Sequence, residues 1–314
     1  MLTIFTTPKR FKGHSGVIQR NAIKSWAMLK PTPQIIMFGN DEGNAEVAAE
    51  LKVTHVPDLE LSEKGTPLIS SMFGLAHQLS SNPLLCFLNA DIMLTDSFMK
   101  ALRVVFAAKP QFLMTGRRTL FDLETLWDFD QAGGEGALIE KVAKEGRLDD
   151  WVAMDYFAFP RGVYSDVPPF VVGRARWDNW MVYSALKREI PVIDGTADIL
   201  AIHQNHDYSH LKGGVKDCFV SPEGQRNQEL YGLDTCIGTA DSTHYLKDGR
   251  LHRSLGRASL ARRVDTLPVF HPILAALAWP VLAPWKLTRP LRRKLEQKLG
   301  GKPADPMPAS PSAP

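Results

Sequence analysis

The chain has 314 residues, 44% of them hydrophobic and 23% charged, and a formal net charge of +3. This composition excludes a wholly disordered protein and leaves enough length for a sizeable core. Three cysteines, Cys86, Cys218 and Cys236, are too few for a disulfide framework, and their lack of CxxC spacing disfavours thiolate zinc or dithiol redox chemistry.

The predicted elements begin with a short β-rich run over residues 2–6. Val17, Ile18, Ala22, Ile23, Trp26 and Leu29 recur at helical spacing and predict a helix over 15–29, capped by Ser15 and ended by Pro31 and Pro33. An apolar strand comes next over 34–38, then the loop Gly39-Asn40-Asp41-Glu42-Gly43. A helix over 44–51, a strand over 53–56, a helix over 66–79 with Pro67 in its first turn, and an apolar strand over 84–88 continue the series. This β-α-β-α-β rhythm predicts a mostly parallel α/β sheet flanked by helices. Beyond it the spacing predicts helices over 95–108, 135–145 and 179–188, and strands over 111–115, 151–159, 190–194 and 199–203.

The opening MLTIFTTPKRF shows no basic segment leading into an apolar leader core, and no run of about 18 apolar residues occurs. The expected setting is therefore cytoplasmic. Motifs that are missing narrow the chemistry. GxGxxG does not follow the first strand, GxxxxGK[ST] does not occur, and neither does GxSxG. Dinucleotide oxidoreduction, P-loop phosphoryl transfer and α/β-hydrolase chemistry are disfavoured.

Two segments carry chemistry. In Phe87-Leu88-Asn89-Ala90-Asp91, a carboxylate follows an apolar strand, where open α/β sheets gather ligands. Asp91 is a candidate ligand for Mg²⁺ or Mn²⁺, with Asn89 adding a carbonyl or a hydrogen bond to a donor substrate. The second segment runs from Gly173-Arg174-Ala175-Arg176-Trp177-Asp178-Asn179-Trp180 to Ile202-His203-Gln204-Asn205-His206. Asp178 reads either as a helix cap or as a general base for an acceptor hydroxyl. Trp177 and Trp180 suit sugar faces or a core. His203 and His206 lie at a strand end and are candidate metal ligands. Arg117, Arg118 and Arg174 are candidate diphosphate contacts, and Asp155 a candidate acceptor contact.

The strand-end Asn89-Ala90-Asp91 resembles the Asp-x-Asp element of the GT-A glycosyltransferases, with Asn89 in place of the first Asp. The order of that element, WDNW and IHQNH over residues 2–245 is similar to nucleotide-diphospho-sugar transferases of bacteria and plants. The resemblance implies a GT-A-like, Rossmann-related fold and transfer of a sugar from a UDP- or GDP-linked donor to a glycan or lipid-linked acceptor. It implies inversion with Asp178 as base, and Mn²⁺ or Mg²⁺ held by Asp91 with His203 or His206. It places the donor against Thr6, Thr7, Pro8 and Asp41, with Asn89, Arg117 and Arg174, and the acceptor against Asp155, Trp177 and Trp180. A sugar-phosphate nucleotidyltransferase and a non-catalytic nucleotide- or glycan-binding protein are the alternatives.

The C-terminal region is distinct. Residues 247–302 hold thirteen Lys/Arg against three Asp/Glu, a local balance of +10 that leaves −7 for the rest. Val269, Phe270, Ile273, Leu274, Leu277, Trp279 and Trp285 precede Arg289, Arg292, Arg293, Lys294 and Lys298. This order suits the surface of an anionic membrane at its inner face, or packing on the catalytic domain. No interleaved aromatic-basic pattern suggests nucleic acid. The expected organisation is a catalytic domain over 1–246, a basic apolar extension with helical and irregular structure over 247–300, and a Pro-rich disordered tail over 301–314.

Overall fold

The structure is a computed structural model and describes residues 1–206, 216–280 and 283. The chain divides into a unit spanning Met1–Ser254 and a second beginning at Leu255.

The first unit opens with β1 (Leu2–Thr6), α1 (Gly13–Ala27), β2 (Gln34–Phe38), α2 (Asn44–Leu51), β3 (Thr54–Val56), α3 (Ile69–Leu79) and β4 (Leu84–Leu88). It continues with β5 (Ile92–Leu94), α4 (Asp96–Ala108), β6 (Leu113–Thr115), β7 (Thr119–Phe121), α5 (Gly134–Glu145), β8 (Arg147–Leu148), β9 (Tyr156–Pro160) and α6 (Trp177–Lys187). β10 (Val192–Asp194), β11 (Ala201–Gln204), α7 (Asp217–Val220), α8 (Pro222–Tyr231), β12 (His244–Lys247) and β13 (Arg250–Arg253) complete it.

Nine strands form the main sheet in the order β13-β12-β10-β6-β9-β4-β1-β2-β3. All run parallel except β9 and β13. The mostly parallel α/β architecture expected from the sequence is therefore present. β4 is buried at every position, as a strand covered on both faces requires. Helix α3 starts later than its hydrophobic spacing suggests, because Leu61 and Pro67 form one bridge and Leu68 and Val171 another. The sheet extends through β13, beyond residue 246.

β9 begins at Tyr156, five residues later than the strand expected over 151–159. Residues 151–155 form turn and irregular backbone, and the Trp151 carbonyl accepts from the Thr239 amide and hydroxyl. β9 lies antiparallel between β4 and β6, with Leu88 opposite Tyr156 and Phe87 opposite Phe157. The start of β9 thus meets the end of β4. A second sheet, β5-β11-β7-β8, begins where β4 ends. In it His203 stands opposite Ile92, one residue after Asp91.

The core is rich in aromatics. Phe5 packs edge-on against Phe73 at 5.0 Å, and Phe73 stacks on Phe159 at 5.7 Å. Such pairs add about 0.5–1.5 kcal/mol beyond burial. Trp26 is fully buried, and its Nε1 donates to the Ile92 carbonyl at 2.8 Å, fixing α1 to β5. Helix α8 has a conventional start and stop. Ser221 accepts from the Gly224 amide at 3.2 Å, Pro222 takes the first turn, and Gly232 at φ +67° closes the helix.

The second unit contains α9 (Arg257–Phe270), with Pro268 inside it, and then a helical run over 272–280. No described helix is long and apolar enough to cross a membrane. The expected tail over 301–314 lies outside the described residues, as do Trp285 and the basic residues from Lys286 onward.

Close backbone approach matters at Gly116, just past β6. A Cβ there would meet the Tyr156 hydroxyl and lie 3.0 Å from the Thr196 amide nitrogen. The Tyr156 hydroxyl is buried without a hydrogen-bond partner. Gly116→Ala should therefore destabilise the protein by about 1–3 kcal/mol in chemical denaturation. Adding Tyr156→Phe, which removes the orphaned oxygen, should recover part of that loss. A neutral Gly116→Ala would refute the close-packing account.

Candidate functional site

The carboxyl edge of the main sheet brings together residues distant in sequence. Thr6 ends β1 beside the end of β4, and the loop after β2 adjoins it, so Thr7, Pro8 and Asp41 share the edge with Asn89 and Asp91. Thr6 is buried, with its hydroxyl unpartnered. Asp41 is exposed. The loop after β1 is pinned to α1 by a double amide clamp. The Lys9 amide donates to Gln19 Oε1 at 2.7 Å, and Gln19 Nε2 donates to the Lys9 carbonyl at 2.9 Å.

Asp91 is the centre of the site. Its Oδ2 lies 3.0 Å from His206 Nε2 and 3.6 Å from His203 Nε2. One donor atom from each of the three side chains lies within 4.8 Å of the others. Burial alone would raise the Asp91 pKa, but the charges of His203, His206 and Arg118 reverse this and hold the carboxyl well below the usual carboxylate range. Asp91 Oδ1 is buried with no hydrogen-bond partner, and so is His203 Nδ1. An orphaned carboxylate oxygen beside two imidazoles fits a cation. One oxygen and two nitrogens form a mixed donor set, better suited to Mn²⁺ than to Mg²⁺, which prefers oxygen throughout.

A buried amide network holds this loop in place. Gln204 Nε2 donates to the Asp91 carbonyl at 3.1 Å and to the Ile18 carbonyl at 2.7 Å, and Asn21 Nδ2 donates to Gln204 Oε1 at 2.9 Å. Sequence reasoning missed Asn21 and Gln204. The available signal was a polar residue inside each apolar run.

Asn89 and Asp155 are joined. Asn89 Nδ2 donates to Asp155 Oδ1 at 2.6 Å, and Arg118 Nη1 donates to Asp155 Oδ2 at 2.8 Å. Arg118 also binds Asp149 at 2.8 Å. Both Asp155 oxygens therefore serve neighbours, and Asn89 acts as a donor to Asp155. Arg117 turns to the Asp149 carbonyl, at 2.6 Å.

Asp178 sits in the first turn of α6. The N-cap residue is Arg176, at φ +85°, so Asp178 does not occupy the capping position. Its Oδ1 accepts from the Asn179 amide at 2.8 Å. Burial pushes its pKa up from 3.8 to about 6, and the Asp155 charge adds to the rise. A carboxyl tuned this way is ionised at neutral pH yet close enough to its pKa to exchange a proton.

Two expected contacts are corrected, those of Trp177 and Arg174. Trp177 is 6% exposed and packs on Phe87 at 4.9 Å and Phe157 at 5.3 Å, so its faces are taken up in the core. Trp180 packs on Phe170 and Tyr164. Arg174 is bound to the buried Glu223 at 2.6 Å, and Ser62 donates to the other oxygen of that carboxylate at 2.5 Å. A guanidinium committed to a buried pair is not a free phosphate contact.

No family model matches the chain, and no curated protein matches it. Among solved structures, it is similar to residues 1–349 of S. aureus TarS in complex with UDP-GlcNAc, at 9% identity and a TM-score of 0.46, over 73% of this chain and 65% of that one. The chain thus spans just under two thirds of that TarS structure. It is also similar to M. tuberculosis glucosyl-3-phosphoglycerate synthase, at 12% identity and a TM-score of 0.41, over 70% of this chain and 80% of that one. The same synthase in complex with Mn²⁺, UDP and phosphoglyceric acid matches at 12% identity and 0.41, over 71% and 78%.

The half-buried Asp178 carboxyl and the buried Arg174–Glu223 pair can both be tested through stability. The raised Asp178 pKa means its contribution to stability is complete below about pH 4 and lost as pH rises through about 6. Asp178→Asn should therefore melt higher than the parent at pH 8, and the difference should shrink towards zero at pH 4; a pH-independent difference would refute the desolvated carboxyl. Arg174→Ala strands Glu223 and should cost about 3–5 kcal/mol in urea unfolding. A loss below about 1 kcal/mol, the range of surface pairs, would refute the buried pair.

Proposed function

We propose that this chain is a metal-dependent glycosyltransferase that moves a sugar from a nucleoside diphosphate sugar to an acceptor hydroxyl, with inversion at the anomeric carbon. The observation that carries the reading is the Asp91–His203–His206 donor set after β4 at the carboxyl edge of a mostly parallel sheet, together with the α6 carboxyl Asp178, whose pKa burial pushes up to about 6.

Asp178 takes the acceptor proton as the acceptor oxygen bonds to the anomeric carbon. The bond from that carbon to the diphosphate oxygen breaks, and the nucleoside diphosphate leaves with the electron pair. Mn²⁺ held by Asp91, His203 and His206 would supply charge neutralisation to the departing diphosphate. Arg118 fixes Asp155, which holds Asn89 beside the donor. The nucleotide, uridine or guanosine, lies against Thr6, Thr7, Pro8 and Asp41 on this reading. The acceptor is a glycan or lipid-linked hydroxyl.

The test is nucleoside diphosphate release from a panel of UDP- and GDP-sugars with Mn²⁺, Mg²⁺ or Zn²⁺. Asp178→Asn should keep donor binding and lose about 10²–10⁴-fold in transfer. The parent rate should rise about tenfold per pH unit below about 6 and level above it, a limb absent from the variant. Near-parental transfer by the variant would remove Asp178 as base. Asp91→Ala should abolish Mn²⁺ binding measured by electron paramagnetic resonance. Unchanged binding would remove the metal assignment independently of turnover.

A further inference from the structure

The helical run over 272–280, Pro-Ile-Leu-Ala-Ala-Leu-Ala-Trp-Pro, carries no charge. Its large side chains face outward, with Ile273 76% exposed, Leu274 56%, Leu277 75% and Trp279 57%. Apolar exposure on this scale marks an interaction surface. The charge of the adjoining stretch of chain identifies the partner. Residues 286–302 hold seven Lys/Arg against one Glu, a local charge of +6 within thirty residues of Ile273. An anionic bilayer takes both, aliphatics and Trp at the acyl boundary and Lys/Arg at the headgroups.

We propose that the helical run over 272–280, followed in the sequence by a basic stretch, docks this protein onto the surface of a bilayer containing anionic lipid. Ile273, Leu274, Leu277 and Trp279 enter the interface, and the basic residues C-terminal to them bind its negative surface potential. The nine described residues of this run rise about 14 Å, short of the roughly 30 Å hydrocarbon layer, and no described helix is long and apolar enough to cross it, so the docking is at the bilayer surface. This docking does not depend on the glycosyltransferase reading.

The test is co-sedimentation of the full chain with phosphatidylglycerol/phosphatidylcholine vesicles, with pure phosphatidylcholine vesicles as control. The parent should bind the anionic vesicles and release as salt rises from 50 mM to about 500 mM, as screening predicts. Arg292→Gln, Arg293→Gln and Lys294→Gln together should weaken binding roughly 100-fold at low salt. Ile273→Ser, Leu274→Ser and Leu277→Ser together should weaken it at least about tenfold. These aliphatic sites are exposed, so circular dichroism and an unchanged melting temperature should report an intact fold. Full strength in either variant would overturn the two-part docking. So would failure of the parent to bind at low salt, or retention on single-stranded RNA with none on vesicles.

Discussion

A carboxylate drawn partly out of water calls for opposing positive charge, and two of the three groups that answer Asp91 lie more than a hundred residues away. His203 and His206 stand on one side of it and Arg118 acts on it through space. The chain brings these groups together by leaving the main sheet after β4 and entering the small sheet with β5 at once. β11 then returns antiparallel to β5, which sets His203 opposite Ile92. The small sheet thus supplies a second wall beside the Asp91 loop. Gln204, the next residue on β11, uses its amide to hold the Asp91 carbonyl, so one strand supplies both the imidazole and the clamp.

The same economy governs the base. Trp177 precedes Asp178 and is wedged against Phe87 and Phe157, cross-strand neighbours on β4 and β9. The packing of the first α6 residue therefore fixes where the second points. Arg176, forced to positive φ, is held from outside by Gln228 at 2.6 Å and by the Tyr231 ring at 5.7 Å. Strain at a helix start persists where surrounding contacts over-determine it.

Much of the frame was legible in the sequence because it is local. The runs over 2–6, 34–38 and 84–88 coincide with β1, β2 and β4, since an uninterrupted apolar stretch between turn residues has few other outcomes. The edge position of Asp91 and His203 was legible for the same reason, as each adjoins such a run. Strand direction was not legible: periodicity identifies β9 as a strand but not that it runs against β4. Partners were harder still. Nothing near Trp177 in the sequence announces Phe157, and nothing near Arg174 announces Glu223, so residues that suit a ligand were read as facing one. Asn21 interrupts an apolar helical stripe, and its reason lies in Gln204, the other half of the pair.

The reversed direction of β9 has a consequence for how this fold can vary. Asp155 is set beside Asn89 by five consecutive residue pairs between β4 and β9, together with the Asn89 amide bonded to the Asp155 carbonyl. The position of that carboxylate is thereby decoupled from the path the chain takes to reach it. The loop before α5 and the turn after Pro160 can change length without moving Asp155, whereas β8, the Arg118–Asp149 pair and the Arg117–Met154 bridge hold the stretch just before it. A single residue added inside β9 would instead turn alternate side chains to the opposite face of the sheet. Among variants of this architecture, loop length is free to drift while the spacing within these two strands is not.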